Sequence, residues 1–242
     1  MISTRRIESF RTFLSGAAMA LLLMVGTDAS AGLVAYQSQG AFNAAIAGWS
    51  ASTTDFESSP AGTMYAPGTG PAGSGFTLLL SGPDAPGMVP TIGDQFWTTS
   101  GMHYLGLDNP DSAFQQGDSL SFTFDSGVHA FGLYVIGTRD IGAGDITLTA
   151  GGATVANGAV ANLEDGAGSF AFFLGFVSDD ASTFSSVTLH NLTLDDPRLL
   201  NITVDDVTLA RNDGVPVPEP ATLLLLLSAM LGIGVASRRR IH

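Results

Sequence analysis

Two pairs of carboxylates stand far apart in this 242-residue chain: Asp55 and Glu57 in "TDFES", and Asp205 and Asp206 in "NITVDDVTL". Four such side chains would suit calcium, which takes several carboxylate and carbonyl oxygens, provided the fold makes the two segments neighbours. "DNPDS", with Asp108, Asn109 and Asp111, is a second oxygen-rich cluster. No EF-hand spacing occurs, and each cluster reads equally as a turn or a solvated edge. His103, His129 and His190 lie far apart with no ligand spacing, which argues against zinc.

Hydrolytic chemistry has thinner support. Gly117-Asp118-Ser119-Leu120 carries the letters of the GDSL esterase motif, in which the serine sits between a strand and a helix. Here Ser119 opens an alternating strand, and no Asp-x-x-His follows, because Val187 stands three residues before His190. A serine hydroxyl without a base is a weak nucleophile, so no catalytic residue is assigned. Glycoside hydrolysis needs two opposed carboxyls, and a chain with 22 acidic residues supplies pairs without meaning. Trp49, together with Trp97 and Tyr104 in the rim "DQFWTTSGMHYLGLDN", are rings that would stack on a sugar; Trp97 and Tyr104 also suit a core.

The charge is sharply partitioned. There is no Cys, hence no disulfide or thiolate chemistry, and no Lys. Six of the nine Arg lie at the two ends, leaving Arg139, Arg198 and Arg211 against 19 acidic residues between Gly32 and Val217. Such a surface repels phosphate backbones and excludes nucleic acid as a partner.

Between residues 32 and 214 the elements that must position these groups read as strands. "SLSFTFD" alternates Leu120, Phe122 and Phe124 with Ser and Thr. "FGLYVIG", "DITLTAGG", "SFAFFLGFV" and "SSVTLHN" alternate in the same way. Thirty Gly and eleven Pro punctuate them. Many short strands without intervening helices predict an all-β, antiparallel β-sandwich of jelly-roll type. One helix is expected in "SQGAFNAAIAGWS", capped by Ser38 and burying Phe42, Ile46 and Trp49, followed by a first strand in "TTDFES" and a loop over 58–75. In "NITVDDVTL", Ile202 and Val204 share one parity while Val207 and Leu209 share the other. A β-bulge at Asp205-Asp206 restores the phase, and the two carboxylates there would meet a cation or a backbone donor.

The ends are of another kind. Arg5, Arg6 and Arg11, the apolar stretch Phe13 to Val25, and Ala29-Ser30-Ala31 form a signal peptide over 1–31, with cleavage expected before Gly32. Over 215–242 come Pro218-Glu219-Pro220, the uncharged Leu-rich stretch Ala221 to Ser237, and Arg238, Arg239 and Arg240. As a helix that stretch reaches roughly 25 Å, a little short of a hydrocarbon core of ~30 Å. The arginines hold its end on the cytoplasmic side. A plain membrane anchor and a processed signal both fit.

This tripartite tail resembles the PEP-CTERM sorting signal of exported proteins. The resemblance implies an exosortase and the export machinery as partners, and a membrane helix before processing. It also implies a Gram-negative host that makes exopolysaccharide, and a final place at the cell surface or in that matrix. Asp205-Asp206 in the last strand and the early "DFE" also look like parts of exported PEP-CTERM sandwich domains and of sugar-binding jelly rolls. The function expected is structural or adhesive. A carbohydrate-binding module with a structural calcium, or a glycan hydrolase, is the alternative.

Overall fold

A computed structural model describes residues 32–213, except 84, 86, 109–112, 139–140, 181 and 192–200. The cleavage residues Ala29 and Ala31 and the whole sorting tail lie outside the described residues. Among the described residues no helix is long and apolar enough to cross a membrane.

The described residues form thirteen strands and one helix. In chain order they are β1 (Leu33–Tyr36), α1 (Gln39–Ala45), β2 (Ser50–Thr54), β3 (Phe76–Ser81), β4 (Pro90–Gly93), β5 (Tyr104–Leu107), β6 (Ser119–Val128), β7 (Ala130–Thr138), β8 (Ile146–Ala150), β9 (Ala153–Ala156), β10 (Leu163–Glu164), β11 (Ser169–Ser178), β12 (Phe184–Asn191) and β13 (Ile202–Arg211). One sheet runs β1-β11-β7-β13-β5-β4, with β10 beside β11 and β2 beside β13; the other runs β3-β6-β12-β8-β9.

Four antiparallel pairs nest inside one another: β5 with β13, β6 with β12, β7 with β11, and β8 with β9. Successive pairs alternate between the two sheets, which is the jelly-roll arrangement expected from the sequence. Its core is the inner parity of each strand. Leu120, Phe122 and Phe124 of β6 meet Phe131, Leu133 and Val135 of β7 and Phe172, Leu174 and Phe176 of β11. Phe122 and Phe131 lie 5.1 Å apart between ring centroids.

The outer face of the first sheet is apolar as well. Tyr134, Ile136, Ala171 and Phe173 form a second cluster, and α1 lays Phe42 upon it. Ser38 caps the helix by accepting from Ala41 N at 3.5 Å, as the sequence predicts. Close approach requires Gly132, since a Cβ there would run into Phe173 and Phe42. Two-sided burial explains the near-continuous apolar runs of β7 and β11.

Two expectations are corrected. The first strand is β1, which precedes the helix and pairs with β11. The segment "TTDFES" is strand only to Thr54, where β2 ends. The following residues turn inward through Phe56, which is buried at φ 61°.

Candidate functional site

The predicted bulge lies where the parity argument places it. Asp205 opposes Tyr134 and Thr208 opposes Gly132, so β13 spends one more residue than β7 across this step. The extra turn is taken at Asp206, with φ 50°. Ile202, Val204, Val207 and Leu209 thereby all face the sandwich core. The other edge of β13 changes partner at the same place. Before the bulge Val204 pairs with Leu105 of β5, and after it Val207 pairs with Thr54 of β2.

Beside this break the loop between β4 and β5, residues 94–103, is held by carboxylates. Asp205 is wholly buried. Its Oδ2 accepts from Thr99 N at 2.8 Å, Ser100 N at 3.0 Å and Thr99 Oγ1 at 2.9 Å. Its Oδ1 accepts from Asp206 N at 2.8 Å. Asp206 accepts from Thr99 Oγ1 and Ser100 Oγ, both at 2.8 Å. Burial, with the neighbouring charge of Asp206, raises the Asp205 carboxyl to about 6 against the pull of these donors. Loss of water dominates the donated bonds.

From the other acidic pair, Glu57 grips the far end of the same loop. Glu57 Oε1 accepts from Met102 N and His103 N, both at 2.6 Å, and these backbone bonds lower its pKa. His103 Nδ1 lies 3.8 Å from Glu57 Oε2. Gly101, at φ 58°, leaves room for the Glu57 carboxylate where a Cβ would overlap it. Asp55 Oδ1 accepts from Glu57 N at 3.2 Å, closing the turn that follows β2.

The calcium expectation for Asp55, Glu57, Asp205 and Asp206 therefore needs correcting in its geometry. β2 and β13 are neighbours, as that reading required. The acids nonetheless do not converge. Each takes N–H or O–H donors from the chain, and among the described residues no three acidic or histidine side chains gather to hold a metal. Backbone donors, one of the two partners foreseen at the bulge, meet Asp205 there. Thr99 and Ser100 were missed by sequence reasoning, although the polar run "TTSG" supplied the signal.

The aromatic expectation is half displaced. Tyr104 is wholly buried and cannot stack on a ligand, because it opens β5 inside the protein. Trp97 is half-buried against the outer apolar cluster. Phe96 is the exposed ring of this loop, at 45 %, with its centroid 5.7 Å from that of Tyr104.

The second sheet corrects another point. Strand register places His190 opposite Ser119, so a base does stand beside the GDSL-like serine. Ser119 Oγ lies 2.8 Å from His190 Nδ1, and His190 Nε2 lies 3.3 Å from Thr149 Oγ1. The partner beyond the imidazole is thus a threonine hydroxyl, where a nucleophilic triad places a carboxylate. Burial lowers the His190 pKa. The row continues a ladder in which Ser121 Oγ meets Thr188 Oγ1 at 3.0 Å, and it reads as cross-strand pairing.

Outside the sandwich, residues 216–240 match the family model of the PEP-CTERM protein-sorting motif. No curated protein matches the chain. The matched stretch contains Pro218, Glu219, Pro220 and the three terminal arginines, and it marks an exported protein sorted by an exosortase.

Proposed function

We propose that the protein ends at the cell surface or in the exopolysaccharide matrix of a Gram-negative bacterium, released from a transient C-terminal membrane helix. Its work there is structural or adhesive, without catalysis. The sorting motif over 216–240 is the observation that carries this reading. Several features of the sandwich support it: a rigid double-sided core, carboxylates committed to holding a loop, and a serine–histidine pair without an acidic partner.

The tail performs its part by simple physics. The Arg cluster fixes the orientation of the apolar stretch, which leaves Glu219 near the outer interface. Proline on either side of Glu219 keeps the segment extended, so a protease cleft receives it without unwinding a helix. The intact mass of the protein in a host with an active exosortase tests this. Loss of Ala221 to His242 is expected, and changing Pro218-Glu219-Pro220 to three alanines should trap an uncut, membrane-bound form. A mature chain still ending at His242 would reduce the tail to an anchor.

A further inference from the structure

An open sheet edge presents unpaired N–H and C=O groups to any passing strand, and natural proteins cover or blunt such edges. The edges of β4 and β3 are covered from within. Beside β4, Ile92 N donates to Thr63 O at 2.9 Å and Tyr65 N to Pro90 O at 2.8 Å. Beside β3, Gly68 N donates to Leu78 O and Leu78 N to Thr69 O, both at 2.8 Å. On the far side of the sandwich, Gln37 following β1 donates its Nε2 to Ala156 O of β9.

β2 is different. It pairs with β13 along one side, and along its other side no backbone hydrogen bond is made among the described residues. Ser50, Ala51, Ser52 and Thr53 are all exposed. The strand "SASTT" carries no charge and no proline, and its pairing has no bulge, so the usual protections of an edge are missing. Its two ends differ in charge. Arg211 of β13 lies opposite Ser50, and Asp55 follows Thr54. Arg211 forms no ion pair among the described residues, in a chain with 22 acidic residues. With Ser50, Ser52 and Leu209 it lines a hollow of about 170 Å³.

We propose that β2 pairs with β2 of a second copy of this chain, antiparallel and centred on Ser52. A two-fold axis there sets Ser50 opposite Thr54 of the second copy, and Ala51 opposite its Thr53. The charged ends then meet. Arg211 of each copy stands two strand spacings, roughly 10 Å, from the end of the other copy's β2, where Asp55 begins the turn. Extended side chains span that gap. A parallel pairing would bring like ends together, so charge selects the antiparallel register. A foreign strand would need the same opposed ends, which this chain itself supplies. The formal net charge of −13 opposes association at long range, but salt screens it beyond about 8 Å and β2 is itself neutral. Five residues a side make a smaller interface than a stable dimer needs. The contact is therefore transient in dilute solution and suits copies held close together. It goes beyond the sorting reading and does not depend on it.

The chain has no Cys, so a single introduced thiol reports only on contacts between copies. Ser52→Cys, Ser50→Cys and Thr54→Cys are made singly in the full chain, purified in detergent and oxidised. Facing positions lie about 4.5–5.5 Å apart between Cβ atoms, near the reach of a disulfide. Position 50 of one copy lies roughly 14 Å along the strand from position 50 of the other. S52C should therefore link to itself at least about tenfold faster than S50C or T54C does. S50C mixed with T54C should link faster than either alone. Ala51→Lys, added to S52C, puts a charged guard on the edge and should slow linking by about the same factor, with the melting temperature unchanged. Arg211→Gln, added to S52C, should slow it about threefold. The proposal is overturned if the three thiols link at equal rates, as association through the apolar tail or a parallel pairing would give. It is equally overturned if the mixture of S50C and T54C links no faster than each alone, or if A51K or R211Q leaves the S52C rate unchanged. Should A51K lower the melting temperature, the comparison of single thiols still decides, since it needs no second substitution. Processing is read separately by mass, so a tail that stays uncut would sink the sorting reading while leaving the strand pairing standing.

Discussion

The outer faces of the two sheets are built from similar residues and come to different ends. On the second sheet, β12 shifts register between Phe184 and Ser186 and then runs evenly along β6, so that Ser119 faces His190, Ser121 faces Thr188, and the side chains satisfy one another across the strands. On the first sheet, β13 breaks register at Asp205–Asp206, exchanges β5 for β2, and turns its polar groups toward a loop. A regular ladder consumes its own donors and acceptors. A bulge re-aims side chains and leaves some of them for other partners. The irregular face is accordingly the one with a held loop, an exposed aromatic ring and unpaired buried oxygens.

The strongest way to break this contrast is Asp205→Ala. Thr99 N and Ser100 N would lose their acceptor, and a buried unsatisfied donor costs about 1–3 kcal/mol. A loss of about 3 kcal/mol is expected, equivalent to a fall in melting temperature of roughly 6–12 °C for a domain of this size. Hydrogen exchange should show the Thr99 and Ser100 amides opening first. Melting within 1 °C of the wild type would mean that Asp205 does not hold the loop.

The pH dependence sharpens the same contrast. Burial raises the Asp205 carboxyl from 3.8 to about 6, so the native state binds this proton more tightly than the unfolded chain does. Stability from this group is full below about pH 4 and is lost as the pH rises to 6, by on the order of 3 kcal/mol. Asp165 has the opposite sign. Donors led by Ser169 lower it to about 2, and its contribution is lost as the pH falls below 3.8. Melting temperature should therefore decline between pH 4 and 6. Asp205→Asn should abolish that decline, because the amide keeps one acceptor for the loop and does not titrate. A decline unchanged in D205N would assign it to another group.

On the regular face the effects are smaller. Ser119→Ala removes one part-buried side-chain bond with solvent close by, which costs about 0.5–1 kcal/mol. Burial lowers the His190 pKa, so its contribution to stability is lost as the pH falls below 6.5. This slope opposes that of Asp205, and His190→Gln should remove it while leaving the Asp205 slope intact. An effect of S119A as large as that of Asp205→Ala would contradict the division between the faces.

Much of this was legible in the sequence, for reasons that can be named. Leu120, Phe122 and Phe124 disclose β6 because only one of its faces is buried. The parity clash between Ile202/Val204 and Val207/Leu209 disclosed the bulge, since a core cannot accept half a strand turned outward. The four residues of β1 carry too short a pattern to show. Tyr104 was misplaced because an aromatic beside polar residues looks the same whether it enters the core or the rim. The Ser119–His190 pair was missed because it joins residues 71 positions apart, and cross-strand register is not written in either segment alone.

The smallest expected effect concerns calcium, and it tests whether the acidic pairs are filled or waiting. A cation that bound the native state and not the unfolded chain would raise the melting temperature. Strong coordination would need Asp55, Glu57, Asp205 and Asp206 to turn several oxygens to one point. Asp205 Oδ2 already accepts from two backbone N–H groups, and Glu57 Oε1 accepts from two more. Drawing them to a metal would strip those donors and release the loop at both ends. The full chain should therefore melt within 1 °C of the same temperature in millimolar calcium and in excess chelator at pH 7. A rise of several degrees in calcium would show that the two carboxylate pairs can leave the loop and converge, and the account of a loop held by its own acids would have to be given up.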